Sequence, residues 1–321
     1  MLEKVLIIDS VHDIIPFELG KNNFEIIYAI DWSREKILGN IKDFYGVILR
    51  SRIKIDKEII DRAVNLRFVA RVGAGMESID TGYCKEKGIV CLNSPEGNRS
   101  AVAEHAIGML LSLFNKLNKA DREVKSGIWQ RESNRGIELN DKTVGVIGYG
   151  NMGSTFAKYL SGFGCEVLSY DKYKFDYTDQ YAKESALDNI FEKADILSLH
   201  VPLTDETNYM VDEDFICGFK KPFFLINTSR GPVVKTSALV EAIKTKKILG
   251  AGLDVIEYEE SSFETTRNMS ENEEFKFLSG CENVILTPHI AGWTNESKEK
   301  LAEVLVNKIL EFKNNRYDNR S

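Results

Sequence analysis

Residues 143–153, TVGVIGYGNMG, constrain the fold more than any other stretch of the chain. A β-branched run ends at Ile147 and passes directly into Gly148, Tyr149, Gly150, Asn151, Met152 and Gly153, which open a helical stretch reaching about Ser161. Strand, glycine turn and helix in that order make a unit that can approach a pyrophosphate. Gly148 and Gly150 allow a tight turn and close backbone approach, Gly153 allows close helix packing, and the helix start supplies N–H donors without intrahelical partners. Asp171 ends the next strand-like run, CEVLSYD, 18 residues beyond Gly153. A carboxylate there accepts hydrogen bonds from an adenosine ribose and repels a 2′-phosphate, so NAD is favoured over NADP.

The same alternation of short β-branched runs and longer amphipathic stretches continues along the chain, the pattern of parallel α/β folding. Lys4 to Ile8, Val47 to Leu49, Phe68 to Ala70 and Ile89 to Leu92 read as strands of a first set. The second set begins at Thr143 and continues through CEVLSYD, ADILSLHVP, FFLINTSRG, ILGAGLDV and NVILTPH. At 321 residues, and at roughly 150 residues per domain, two doubly wound parallel-sheet domains are expected. Ser100 to Gly127 has helical spacing, with Glu104 in the first turn and Gly127 as a stop, and reads as the bridge between them. Asn295 to Arg316 again reads as helix, so the chain is expected to return to the first domain. The boundaries are then 1–98 plus 293–321 for a discontinuous substrate domain and 99–292 for a NAD-binding Rossmann domain. Glu257 to Glu274 is acidic and irregular and reads as a solvated surface insertion.

Composition removes several function classes. Lys plus Arg number 42 against 49 for Asp plus Glu, without the basic clustering that a phosphate backbone requires, so no nucleic-acid partner is expected. The five cysteines are odd in number and scattered, with no C-x-x-C pair for zinc or redox chemistry, and read as reduced, mostly buried thiols; no metal site is expected. The start, MLEKVLIIDS, reaches Asp9 too soon for a signal peptide, and no apolar run approaches the ~20 residues of a membrane span. A cytoplasmic protein without a membrane partner is the expectation.

Polar residues at the ends of the later strands carry the chemistry, because open α/β sheets place ligands at strand carboxyl ends. Arg230 follows FFLINTS and can grip a carboxylate through two parallel hydrogen bonds. Glu259 follows GLDV, and His289 follows NVILTP. Oxidation of a 2-hydroxy acid needs these parts: a cation for the carboxylate, a base for the hydroxyl proton, and a group holding the base in one tautomer. His12 in an early loop, His105 in the bridging helix and His200 at a strand end compete poorly for that role.

Through GYGNMG with Asp171, INTSRGPVV, AGLDVIEYE and TPHIAG, over essentially its whole length, the chain resembles the D-isomer-specific 2-hydroxy acid dehydrogenases. The resemblance implies a flavodoxin-like substrate domain beside the Rossmann domain. It implies that Arg230 binds substrate, that His289 is the acid/base and that Glu259 pairs with it. It also implies that Asn151 and Met152 cover the pyrophosphate, that Val201, Thr228, Ser229 and Asp254 line the nicotinamide end, with Gly292 of TPHIAG in the cofactor set, and that subunits pair as a homodimer through the bridging segment.

Substrate choice falls to the first domain, where Arg50 and Arg71 each follow a strand, with Ser51 and Arg52 beside them. LRSRIKI and RVGAGMESID resemble the substrate edge of D-3-phosphoglycerate dehydrogenases, implying that Arg50 and Arg71 bind phosphate while backbone N–H groups near Gly73 and Gly75 hold the carboxylate. D-3-phosphoglycerate, and so serine biosynthesis, is the expected substrate and setting; with Ser321 last, no serine-sensing domain is expected. Three departures from the family pattern stand beside this, of which the long loop is more like lactate-type members and Trp293 points to D-lactate, glyoxylate or hydroxypyruvate. Glu260 stands where the family usually has Pro, the loop from Ser261 to Lys276 is long, and the bulky Trp293 follows IAG. Glu259 argues against formate dehydrogenases, which resemble a pattern with Gln there. The more distant alternative is a non-enzymatic NAD-binding scaffold like the C-terminal-binding-protein corepressors, but the long tails of that group are missing.

Overall fold

The computed structural model describes residues 2–259 and 269–318, the side chains of Ser270 and of 316–318 apart. Glu260 and the loop through 268 lie outside the described residues. The rest falls into two compact units, one holding residues 2–98 and 293–318, the other 99–259 and 269–292.

The first unit is a five-stranded parallel sheet: β1 (Glu3–Ile7), β2 (Phe24–Tyr28), β3 (Gly46–Leu49), β4 (Phe68–Arg71) and β5 (Val90–Asn93), in the order β2-β1-β3-β4-β5. Helices cover both faces of such a sheet, which is why its inner strands are apolar at nearly every position. Leu6, Val47, Leu49 and Val69 point to one layer, and Val5, Ile48, Phe68 and Ala70 to the other. That second layer is closed by the last helix, Asn295–Asp318, through Ala302, Leu305, Val306 and Ile309. Phe68 is fully buried, packs edge-on against Phe312, and occupies the space a side chain at Gly46 would need. Truncating a buried ring of this kind costs about 3–5 kcal/mol. The strand reading of the sequence passed over β2, a half-exposed edge strand whose FEIIY lacks the apolar continuity of the inner strands.

The second unit has seven parallel strands: β6 (Thr143–Ile147), β7 (Glu166–Tyr170), β8 (Lys183–Glu184), β9 (Ile196–Leu199), β10 (Phe223–Asn227), β11 (Ile248–Leu253) and β12 (Val284–Leu286). Their order is β12-β11-β10-β9-β6-β7-β8. From β6 the chain winds outward to β8, then returns to β9 and winds the other way. The order therefore reverses between β6 and β9, the position at which doubly wound sheets open a crevice for a ligand. The stretch read as one bridging helix is two, Arg99–Phe114 and Leu117–Lys125, broken where Lys116 takes a left-handed φ of 52°. The first of them is largely buried and packs within the second unit on the helix Asn151–Leu160.

Two further expectations change. Cys84 is buried, Cys91, Cys165 and Cys281 are half-buried and Cys217 is exposed; all five are free. Within the acidic stretch, Glu257 accepts from the Tyr209 hydroxyl and the Thr236 amide, and Tyr258 donates to Glu274, so the two ends of its described part are tied into the unit while Glu271 and Glu273 are exposed; the rest lies outside the described residues. Among the described residues, no helix is long and apolar enough to cross a membrane.

His200, directly after β9, packs its ring on Phe156 and shares a hydrogen bond with Ser198, and burial pushes its pKa down to about 3. An unfolded chain takes up that proton near the ordinary value of 6.5, whereas the folded one does not. Stability is therefore lost as pH falls from 6.5 toward 3, by up to about 1.4 kcal/mol per unit. Denaturant titrations of wild type and His200→Gln across that range should show a shallower loss in the variant; parallel slopes would rule the linkage out.

Candidate active site

The turn after β6 carries the fingerprint, and its glycines do different work. Gly148 has φ 90°, and a side chain there would meet the His200 carbonyl, so the β6 and β9 ends touch backbone to backbone. A Cβ on Gly153 would lie 2.0 Å from the Gly148 carbonyl oxygen, so this glycine lets the helix pack against its own turn. Gly150 has nothing within 4 Å of its Cβ position; it leaves open space above the turn, with the helix of Asn151 and Met152 beginning there. Val201 borders the turn, lying against the Cβ position of Gly148.

Asp171 follows β7, and its carboxylate is held by backbone amides, Oδ2 accepting from Tyr149 (2.8 Å) and Oδ1 from Tyr173 (3.0 Å). Two further acceptor positions on that carboxylate suit a pair of ribose hydroxyls. At the end of β10 the Thr228 hydroxyl is buried with no partner among the described residues, a state that costs free energy unless a ligand completes it. Open space over Gly150, an oriented Asp171 and the orphan Thr228 hydroxyl fit a dinucleotide laid across the β6/β9 switch.

The acid/base pair is assembled by three loops. Glu259 Oε2 lies 2.7 Å from His289 Nδ1, and Glu259 Oε1 accepts from the Ile256 amide, so the carboxylate is fixed at both oxygens. A carboxylate at Nδ1 keeps a proton there and makes Nε2 the position that gains and loses one. His289 itself has a left-handed φ of 56°, a strained conformation for a side-chain-bearing residue. It is held by Asp254: the Asp254 carbonyl accepts from the His289 amide, and its carboxylate, 1% exposed, accepts from Thr287 Oγ1, Ile290 N and Ala291 N. Asp254, which the family resemblance puts at the nicotinamide end, thus spends its carboxylate on the loop that presents His289, and Gly292 follows that loop. Arg230 is presented by Asn227, whose side chain donates to the Arg230 carbonyl and accepts from the amide and hydroxyl of Ser229, while Arg230 Nη1 donates to the Ser229 carbonyl. Gly231 lets this turn lie directly on the Ile256 backbone, a few residues from Glu259.

In the first unit the loop after β4 is stitched down by its carbonyl groups. Gly73, Ala74 and Gly75 accept from Ser94 N, Asn93 Nδ2 and Arg71 Nη1 respectively. In a trans peptide the N–H points opposite to the carbonyl, so each of the amides of Ala74, Gly75 and Met76 is directed away from the donor that holds its peptide's carbonyl. Arg71, 8% exposed, donates to the carbonyls of Gly75 and Arg50 and so builds this loop. Arg52 donates to the carbonyls of Ile8, Ala29 and Trp32 and lies 3.4 Å from Asp9. Arg50 differs: its guanidinium lies 4.5 Å over the ring of Trp293, itself 67% exposed, and among the described residues no carboxylate pairs with it. Ser51 sits half-buried beside it.

A family model described as D-isomer specific 2-hydroxyacid dehydrogenase, NAD binding domain, matches residues 107–291. The chain is 34% identical to a D-3-phosphoglycerate dehydrogenase of Archaeoglobus fulgidus over 96% of its own length and 56% of that protein's, so it spans little more than half of that relative. It is 36% identical to a hydroxypyruvate reductase of Thermotoga maritima, covering 86% of this chain and 87% of that one. Among solved structures, D-lactate dehydrogenase from Aquifex aeolicus complexed with NAD and lactic acid is similar at 31% identity and TM-score 0.82, covering 98% and 97% of the two chains. The chain belongs to the D-isomer specific 2-hydroxyacid dehydrogenase family. Its second unit is an NAD-binding domain.

In this family member, sequence reading missed the residues that work through others. Asn227 and Thr287 stand at strand ends, where a polar residue is a signal in itself. His105, whose Nε2 lies 3.0 Å from Thr287 Oγ1 and 3.6 Å from Asp254, is helical and gave no such signal. The glycine geometry makes a paired prediction. Gly150→Ala should fold with unchanged thermal midpoint but bind NADH about tenfold or more weakly, because its Cβ enters the space left for the cofactor. Gly153→Ala should lose at least about 2 kcal/mol of stability through overpacking. Calorimetry with NADH titration separates the two; normal NADH affinity in Gly150→Ala would reject the assignment.

Proposed function

We propose that the chain is an NAD-dependent dehydrogenase interconverting a D-2-hydroxy acid and its 2-keto acid, with D-3-phosphoglycerate and 3-phosphohydroxypyruvate as the preferred pair. The observation that carries the reaction class is the 2.7 Å pair of Glu259 and His289, on a histidine whose strained backbone is held by a buried carboxylate. When bound, NAD supplies the oxidising or reducing equivalent as hydride at its nicotinamide. His289 gives a proton from Nε2 to the forming alkoxide in reduction and takes it back in oxidation. Glu259 stabilises the imidazolium that oxidation leaves. Arg230 and the amides of Ala74, Gly75 and Met76 are the groups offered to the substrate carboxylate.

Arg50 supports the phosphorylated substrate, since a guanidinium with no carboxylate partner among the described residues suits a phosphate. That substrate belongs to serine biosynthesis, and the free cysteines suit a reducing cytoplasm. A second reading is favoured by Arg71, whose donation to the Arg50 and Gly75 carbonyls engages one of the two arginines expected to bind phosphate; the enzyme would then reduce pyruvate, glyoxylate or hydroxypyruvate. Rates of NADH oxidation with all four keto acids decide between them. The first reading expects a preference for 3-phosphohydroxypyruvate that falls at least tenfold in Arg50→Ala, and no more than about a thousandth of the rate in His289→Gln. A preference for the unphosphorylated acids, untouched in Arg50→Ala, would establish the second, and no turnover with any of them would reject both.

The homodimer is supported by exposed apolar side chains on and after the helix Leu117–Lys125: Leu117, Val124, Ile128 and Trp129, the last 79% exposed. Sedimentation velocity should find a dimer in wild type and a monomer in Trp129→Glu; a monomeric wild type would refute it.

A further inference from the structure

We propose that Glu206 is a cofactor-selecting residue, which keeps Lys172 from receiving the 2′-phosphate of NADP. The inference rests on the reading of Asp171 as the ribose-binding carboxylate. Asp171 is followed within three residues by two cations, Lys172 and Lys174. A 2′-phosphate adds about two negative charges, and cations beside the ribose site are what NADP-binding members of this fold use to hold it. By sequence alone these lysines would undo the repulsion that Asp171 provides.

The structure ties both down. Lys174 Nζ donates to the Tyr149 carbonyl within the fingerprint turn (2.7 Å). Lys172 Nζ lies 2.8 Å from Glu206 Oε1, and the Tyr173 hydroxyl donates to Glu206 Oε2, so one carboxylate from the loop after β9 holds two consecutive residues of the loop after β7. The pairing is visible in both partners: the hydrogen bond to Glu206 raises the Lys172 pKa, and those from Lys172 and Tyr173 lower that of Glu206. Asp171 itself is oriented by the Tyr173 amide, so the segment that Glu206 grips is the one that aims the ribose carboxylate. Of the four charges, Glu206 brings the group to neutrality; without it the two lysines outweigh Asp171. Lys172 and Glu206 are both more than half exposed, so the effect is one of a few-fold and is screened by salt.

The test is binding, measured by the fluorescence of titrated NADH and NADPH at low and at about 0.5 M salt. Glu206→Gln should bind NADPH about three- to tenfold more tightly than wild type at low salt, change NADH affinity less than about twofold, and lose the gain at high salt. Adding Lys172→Ala to Glu206→Gln should return NADPH affinity to the wild-type value, a reversal that a merely structural role for Glu206 would not produce. Unchanged NADPH affinity in Glu206→Gln, with NADH bound normally, would overturn the proposal alone. A wild-type protein that binds neither dinucleotide would overturn the cofactor reading and this proposal together.

Discussion

A carboxylate almost wholly removed from water organises the chemistry of the second unit. Asp254 ends β11, and burying its charge there would be prohibitive without partners. Among the described residues it accepts hydrogen bonds from the Thr287 hydroxyl and the amides of Ile290 and Ala291, all from the loop after β12, with His105 Nε2 3.6 Å away. Hydrogen bonds to a charged acceptor are worth about 1.5–3 kcal/mol each, enough to offset the roughly 1–3 kcal/mol of a left-handed backbone at His289. Strain at the reacting residue is thus stabilised one strand away, and the same residue's carbonyl takes the His289 amide. Glu259 can then act on the ring alone, because the backbone beneath it is already fixed.

The first unit uses the same physics with the signs reversed. There a cation, Arg71, is buried and donates to the carbonyl of Gly75, in the loop that follows it, and to that of Arg50, after β3. Each carbonyl held this way has its peptide's N–H directed oppositely, so Arg71 fixes amide directions as well as carbonyl ones. Amides fixed in this way carry no net charge, and dipoles that are already fixed need no reorganisation to meet an anion.

This contrast explains what could be read from the residues and what could not. The fingerprint, Asp171, Arg230, Glu259 and His289 were legible because each is a rare polar or glycine residue at the end of an apolar strand, where sequence position and spatial position coincide. Both sheets were legible for the same reason, except at β2 and β8, edge strands whose burial is partial or whose length is two residues. The break at Lys116 was not, because an interrupted helix keeps the composition of a continuous one. The roles of Arg52, Arg71 and Asp254 were beyond reach on other grounds. A charged residue at a strand end looks identical in sequence whether it faces a ligand or folds back on the main chain, and only the count of carbonyls and amides around it distinguishes the two.

Arg50 shows how that distinction bears on function. Of the three arginines Arg50, Arg52 and Arg71, which stand at or after the ends of β3 and β4, Arg52 and Arg71 are consumed by backbone carbonyls. The third, Arg50, lies over an indole face, an interaction that attracts a guanidinium without consuming its N–H donors. Stacking therefore orders the side chain without satisfying it, whereas an ion pair would do both. A bulky aromatic at 293, which on size alone argues for a smaller substrate, becomes on this geometry the support that pre-orients a cation. Size and charge at this position therefore argue for different substrates from the same residue.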